Sequence, residues 1–228
     1  MKVIVQKALE GGGALWPEMF PPEELKERRR QMGSVIFDLQ YQNDASKAQG
    51  AVFREEWLRK WVVLPEALTV YQGVDLAISD KTFSDYFAIV TIGVSEDSDI
   101  HVLDAVRTRL TFEMQARTVF EKAQEFDPIA VAIEAVGYQM ALSQVLAEHT
   151  LLPVRTVIPN TNKVARAWRL SALFERGKVL LGQGQDELID ELLEFPNGEH
   201  DDLFDALEMA VSAARQSFQT RLLSVPGV

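Results

Sequence analysis

The chain has 228 residues, of which 47% are hydrophobic and 25% charged, and its formal net charge is −11; this is the balance of an ordinary globular domain. It contains no cysteine, which excludes disulfides, thiolate catalysis and cysteine-ligated zinc. No apolar run approaches the roughly 18 residues of a membrane span, no signal-peptide pattern is present, and the negative charge argues against a simple basic nucleic-acid-binding module.

Residues 1–67 read as an appendage or linker ahead of the main domain. A strand is expected over Lys2–Ala8, then a loop carrying the Gly11–Gly13 run and Pro17, Pro21 and Pro22. Glu23–Met32 is rich in Glu and Arg and reads as a helix stopped by Gly33, and Ser34–Gln42 as a second. Phe53, Trp57 and Trp61 recur at 4-residue spacing; aromatics of that size need a surface, and the following domain is the nearest one.

Residues 69–78 alternate as a strand, with Val70, Val74, Leu76 and Ile78 on one face and Tyr71, Gly73, Asp75 and Ala77 on the other. Asp80 and Asp85 fall in or beside the polar turn that follows. Asp85–Val94 and Ile100–Thr108 read as a hairpin, so the first three strands form a meander. Thr111 is placed to cap a helix over 111–126, ended by Asp127-Pro128. Then come a strand over 129–135, a helix over 138–149, a strand over 152–158, a helix over 162–176 closed by Gly177, a short strand at 179–181, a short helix over 186–193 and a last helix over 201–218. Residues 68–218 therefore read as one α/β domain: a mixed sheet of a three-strand meander plus parallel strands, with helices on both faces. Residues 219–228 read as a C-terminal tail.

Acids concentrate at the start of the last helix. Asp201, Asp202 and Asp205 lie within five residues, and crowded carboxylates are costly unless a cation joins them. Asp75 shares its strand face with Gly73 and Ala77, and Glu134 shares its face with Ala130 and Ala132. The last helix carries a matching small stripe, Ala206, Ala210, Ala213 and Ala214. Were that stripe to lie on the small sheet face, Asp202 would reach Asp75 and Glu134. Asp205 lies about 60° round the helix from Asp202, away from the stripe, and Asp201 about 100°, so phase ranks Asp202 first. Hard cations take oxygen ligands, and two ions about 4 Å apart can clamp the attacking and leaving oxygens of a phosphodiester, one carboxylate bridging them; Asp75 suits that role. Simple helix capping is the plain alternative for Asp201 and Asp202.

Lys163, Arg166 and Arg169, with Arg155 upstream, form a basic strip against this acidic background. It reads either as a solvated face or as phosphate contacts beside the metals. Trp168 reads as core, and His200 as a turn residue.

The pattern Gly73-Val74-Asp75-Leu76-Ala77, Ile133-Glu134-Ala135, Lys163 with Arg166, and Gly198 to Leu207 with His200, Asp201, Asp202 and Asp205 resembles the nuclease domain of phage large terminase subunits. Those belong to the ribonuclease H-like superfamily, near RuvC-type resolvases. The segment from Ala14 through Phe20 to Phe53 and Trp57 is similar to the linker between a terminase ATPase domain and its nuclease, so the resemblance covers residues 14–217. It implies a ribonuclease H-like fold and a metal-dependent DNA endonuclease that cuts concatemeric viral DNA during genome packaging, using two Mg²⁺ or Mn²⁺ ions. Position by position, Asp75, Glu134 and Asp202 match the metal ligands, and Asp201 and Asp205 match acids flanking the third. The implied partners are double-stranded DNA, the terminase small subunit, the portal and an ATPase domain, with no membrane; the implied place is the host cytoplasm. The Gly-x-x-x-x-Gly-Lys-Ser/Thr phosphate loop does not occur, so the chain is expected to be an excised domain or a product that keeps only the nuclease half. Two rivals stand beside this reading. A RuvC-like resolvase acting on branched DNA would show a stable dimer and a junction preference. A non-catalytic assembly module would have lost its acids, and this chain has the full set.

Overall fold

The structure is a computed structural model that describes residues 5–46, 50–77, 86–134, 152–158 and 161–223, with residues 218–223 described by backbone alone. The helix expected over 138–149 lies outside these residues, as do Asp80 and Asp85.

The strand expected over 2–8 lies partly outside the described residues; residues 5–8 are not in a strand, and a small hairpin follows, β1 (Leu9–Glu10) against β2 (Gly13–Ala14). Gly11 and Gly12 turn it at φ 59° and 87°, a backbone region open to glycine. Two helices follow as expected, α1 (Pro22–Met32) and α2 (Ser34–Tyr41), and Gly33 between them takes φ 85°. The 4-residue aromatic spacing is not helical: a single 3₁₀ turn (Glu55–Trp57) leads into a short strand, β3 (Arg59–Lys60). The aromatics nonetheless find their surface on the body of the domain. Phe53 is fully buried against Phe174, Phe195 and Phe204, and Trp61 Nε1 donates to the Val102 carbonyl at 2.9 Å.

The main strands are β4 (Thr69–Asp75), β5 (Phe87–Val94), β6 (Ile100–Thr108), β7 (Ala130–Glu134), β8 (Val154–Val157) and β9 (Val179–Leu181). They form one sheet in the order β3-β9-β6-β5-β4-β7-β8. The meander β4-β5-β6 is antiparallel, while β7 runs parallel to β4, β8 to β7, and β9 to both β6 and β3. Because β3 pairs with β9 and Phe53 sits in the core, sheet and core begin before residue 68. An appendage ending at residue 67 would leave both incomplete.

Alternation along the strands sorts the two faces. Val74, Ile89, Val131 and Ile133 face α3 (Phe112–Phe126), whose first turn is capped by Thr111 Oγ1 accepting from Met114 N at 3.5 Å. Tyr71, Val90, Ala130 and Ala132 face the opposite layer, built from α4 (Lys163–Glu175), α5 (Asp186–Glu194) and α6 (Asp202–Leu223). Ala206, Ala210, Ala213 and Ala214 are all buried in that second core, and Trp168 joins it. The last helix continues to Leu223, past the end expected at 218.

Candidate metal centre

The site grows from two neighbouring strand ends. β4 and β7 pair in parallel with Gly73 opposite Ala132 and Val74 opposite Ile133, so Asp75 and Glu134 close the two strands side by side on one face. Helix α6 crosses that face at very short range. A Cβ at Gly73 would stand 2.0 Å from the Ala206 carbonyl oxygen and 2.5 Å from the Ala210 nitrogen, so only glycine permits this approach. The contact sets the first turn of α6, with Asp202 and Asp205, against the ends of β4 and β7.

The electrostatics register the convergence. The Asp75 carboxyl is pushed up to about 8, first by burial and then by Asp205, Asp202 and Glu134, with Lys163 giving partial relief. Glu134 is raised by burial and by Asp205, against Arg166 and Lys163. Asp202 is raised by burial and by Asp201, and Asp205 by burial, against Lys163 and Arg166. Asp205 is thus the acid that both strand-end carboxylates feel, although helical phase ranks it below Asp202. Phase gives direction round the axis but not position along it: Asp205 lies one residue before the Ala206 contact with Gly73, and Asp202 lies four before.

The predicted basic strip divides. Lys163 Nζ lies 2.5 Å from Asp205 Oδ2 and is also paired with Asp201. Arg166 reaches Asp205 Oδ1 at 3.2 Å and Glu208 Oε2 at 2.8 Å. Arg169 is exposed and donates to Thr161 Oγ1 and the Ala165 carbonyl. Arg155 stands apart, donating to Ser217 Oγ at 2.9 Å well along α6. His200 packs edge-on against Tyr86, its Nδ1 4.0 Å from Asp202.

One residue of the site was not anticipated. Glu191 of α5 is 3% exposed, accepts the backbone N–H of Phe204 at 2.7 Å and pairs with Arg107 at 3.0 Å. Its carboxyl is pushed up to about 7, chiefly by burial, with Asp202 and Asp201 adding to the rise. The signal was present in the sequence: Leu188, Glu191 and Leu192 share one helical face, and an acid on an apolar stripe asks for a buried partner.

Among the described residues, no three carboxylate or imidazole groups stand as a closed metal shell, and Lys163 draws Asp201 and Asp205 to itself. The donor chemistry nevertheless fits a hard divalent cation, since the convergent groups are carboxylates. The crowding that suppresses the charge of Asp75 is what such a cation relieves.

With this geometry in view, similarity to known proteins is informative. A family model described as the terminase RNaseH-like domain matches residues 72–214. No curated protein sequence matches the chain. The large terminase nuclease of thermophilic phage G20c with bound cobalt superposes with a TM-score of 0.58 at 15% identity, covering 72% of this chain and 97% of that one; the same nuclease is also known with bound zinc and with bound magnesium. The P22 large terminase nuclease domain gives a TM-score of 0.57 at 15% identity, covering 73% and 93%. The large terminase of a second thermophilic bacteriophage gives 0.65 at 10% identity, covering 83% of this chain and 52% of that one. This chain therefore corresponds to about half of that larger protein, and its fold is that of the ribonuclease H-like terminase nucleases.

Proposed function

The chain belongs to the terminase RNaseH-like domain family, and from that premise we propose that it is a metal-dependent endonuclease acting on double-stranded DNA during phage genome packaging. One observation carries the reading: three separate elements carry Asp75, Glu134, Asp202 and Asp205 to one end of the sheet, where burial and the other three acids together raise the Asp75 carboxyl. A structural role alone does not require carboxylates so placed that burial and one another suppress their charge.

Asp75, central in the cluster, with Glu134 and Asp202, would hold the metal. Bound there, Mg²⁺ or Mn²⁺ ions would polarise the scissile phosphate and lower the pKa of an attacking water. Asp205 and Asp201 hold Lys163 at the rim. Lys163, Arg166 and Arg169 offer positive charge to the DNA phosphates, while Arg155, bonded to Ser217, serves the sheet edge. In the packaging assembly the chain works with an ATPase domain, a small subunit and the portal, in the host cytoplasm.

Supercoiled plasmid supplied with Mg²⁺ or Mn²⁺ tests this directly. The chain should nick and linearise it, chelator should stop the reaction, and Asp75→Asn or Asp202→Asn should lower the rate by at least about 100-fold while keeping the fold. Undiminished cleavage by both variants overturns the site assignment.

A further inference from the structure

A second cationic feature lies at the other end of the helical layer. Arg176 and Arg215, with Lys178, rim a cleft of about 280 Å³ whose floor includes Leu173 and Val211. Lys178 is paired with Asp99. Among the described residues neither arginine is in a salt bridge, although Glu27 acts on Arg176 and Glu208 on Arg215 at longer range: Arg176 Nε donates to the Ala172 carbonyl, neighbouring Arg169 donates to uncharged oxygens, and Arg215 is exposed. Although the residue as a whole is exposed, the cleft encloses the Arg215 guanidinium enough that desolvation, then Arg176 and Arg169, hold it below the usual arginine range, with Glu208 opposing. Like charges gathered at a cleft rim without a salt bridge among the described residues, on a chain of net charge −11, repel one another and suit an anion.

The cluster is continuous with the acid centre. Arg166 contacts both Asp205 and Glu208, Glu208 acts on Arg215, and Arg215 feels Arg176 and Arg169. Along α4, Lys163 and Arg176 are 13 residues apart in number, about 20 Å of helix, which matches roughly six base pairs of duplex.

We propose that Arg176 and Arg215 form a distal phosphate-binding station, which grips the backbone of the DNA duplex about half a helical turn from the point of cleavage. It rests on the reading of DNA as the substrate and extends the contact surface beyond the strip at the acids. The apolar floor would suit deoxyribose, and the band leading back to the acids favours DNA over an acidic peptide.

The test is equilibrium binding of a 20-base-pair duplex in Ca²⁺ by the full chain and by Arg176→Gln/Arg215→Gln, across a salt series. Both positions are at the surface, so the thermal melting of the variant serves as the folding control. The variant's log-affinity against log-salt slope should be shallower by about 1.8, so that raising salt fourfold costs the variant about tenfold less affinity than it costs the wild type. An unchanged slope and affinity overturns the station. Retained DNA binding with lost binding of a polyglutamate peptide also overturns it and assigns the cleft to a protein partner. Plasmid cleavage measured alongside separates the two readings: altered slope without cleavage by the wild type sinks the nuclease reading and spares the station, and cleavage with an unaltered slope does the reverse.

Discussion

Asp75 is where sequence, packing and chemistry meet. An acid inside a strand was visible from alternation alone, and so was the small face it shares with Gly73; the structure ends that strand at Asp75. In the unfolded chain its carboxyl titrates near 3.8, and in the fold at about 8, so across that window the folded state keeps a proton the unfolded state gives up. The contribution of this group to stability is full below about pH 4 and is lost as pH rises through 8. In chelator, the melting temperature should therefore fall between pH 5 and pH 8, and Asp75→Asn should flatten the fall. Mn²⁺ should raise melting more at pH 8 than at pH 5, because the proton must leave before a cation binds. Parallel melting curves for wild type and variant across that range would remove Asp75 from the account. Gly73 gives a second test. A Cβ there meets helix backbone at 2.0 Å, so Gly73→Ala should cost about 1–3 kcal/mol by denaturant unfolding, and cleavage should suffer more than stability because α6 carries the acids. An unshifted denaturation midpoint would mean that the helix can lift freely.

At the scale of elements, alternation and helical period located the sheet, the caps and the alanine stripe, because each is a local property of the chain. What they could not supply was how far along its axis α6 engages β4, and this is why Asp205 rather than Asp202 is the acid felt by both strand ends. Nor could spacing show that Lys163 folds into the acids, since a lysine on a helix face looks the same whether it meets water or a carboxylate. The α5–α6 junction was missed for a related reason: Glu191 looked like one acid among many until its partners were known. Its carboxylate holds both the Phe204 N–H and Arg107, fixing the start of the acid-bearing helix. Removing one side of a buried pair costs about 3–5 kcal/mol, so Glu191→Ala should lose that much by chemical denaturation. Glu191→Gln should lose less, since the amide oxygen still accepts from Phe204. Equal losses in the two variants would show that the charge, and not the cap, is what matters.

Across the whole molecule, the sheet order places the β4 and β7 ends side by side, with the helical layer of α4, α5 and α6 over one face and α3 over the other. The segment before residue 68 could not be recognised as part of this body from sequence, because β3 is two residues long and gains its meaning only by pairing with β9. The acids at the ends of β4 and β7 and the start of α6 gather where a divalent cation would offset them, and Arg176 and Arg215 lie farther along the helical layer. The most direct test of the central claim is Mn²⁺ binding followed by electron paramagnetic resonance, with wild type and Asp75→Asn side by side at pH 8. Wild type should bind Mn²⁺ in a chelator-reversible way, and the variant should bind it at least about tenfold more weakly. Equal Mn²⁺ affinity in the two proteins would contradict the claim that these acids form a metal centre.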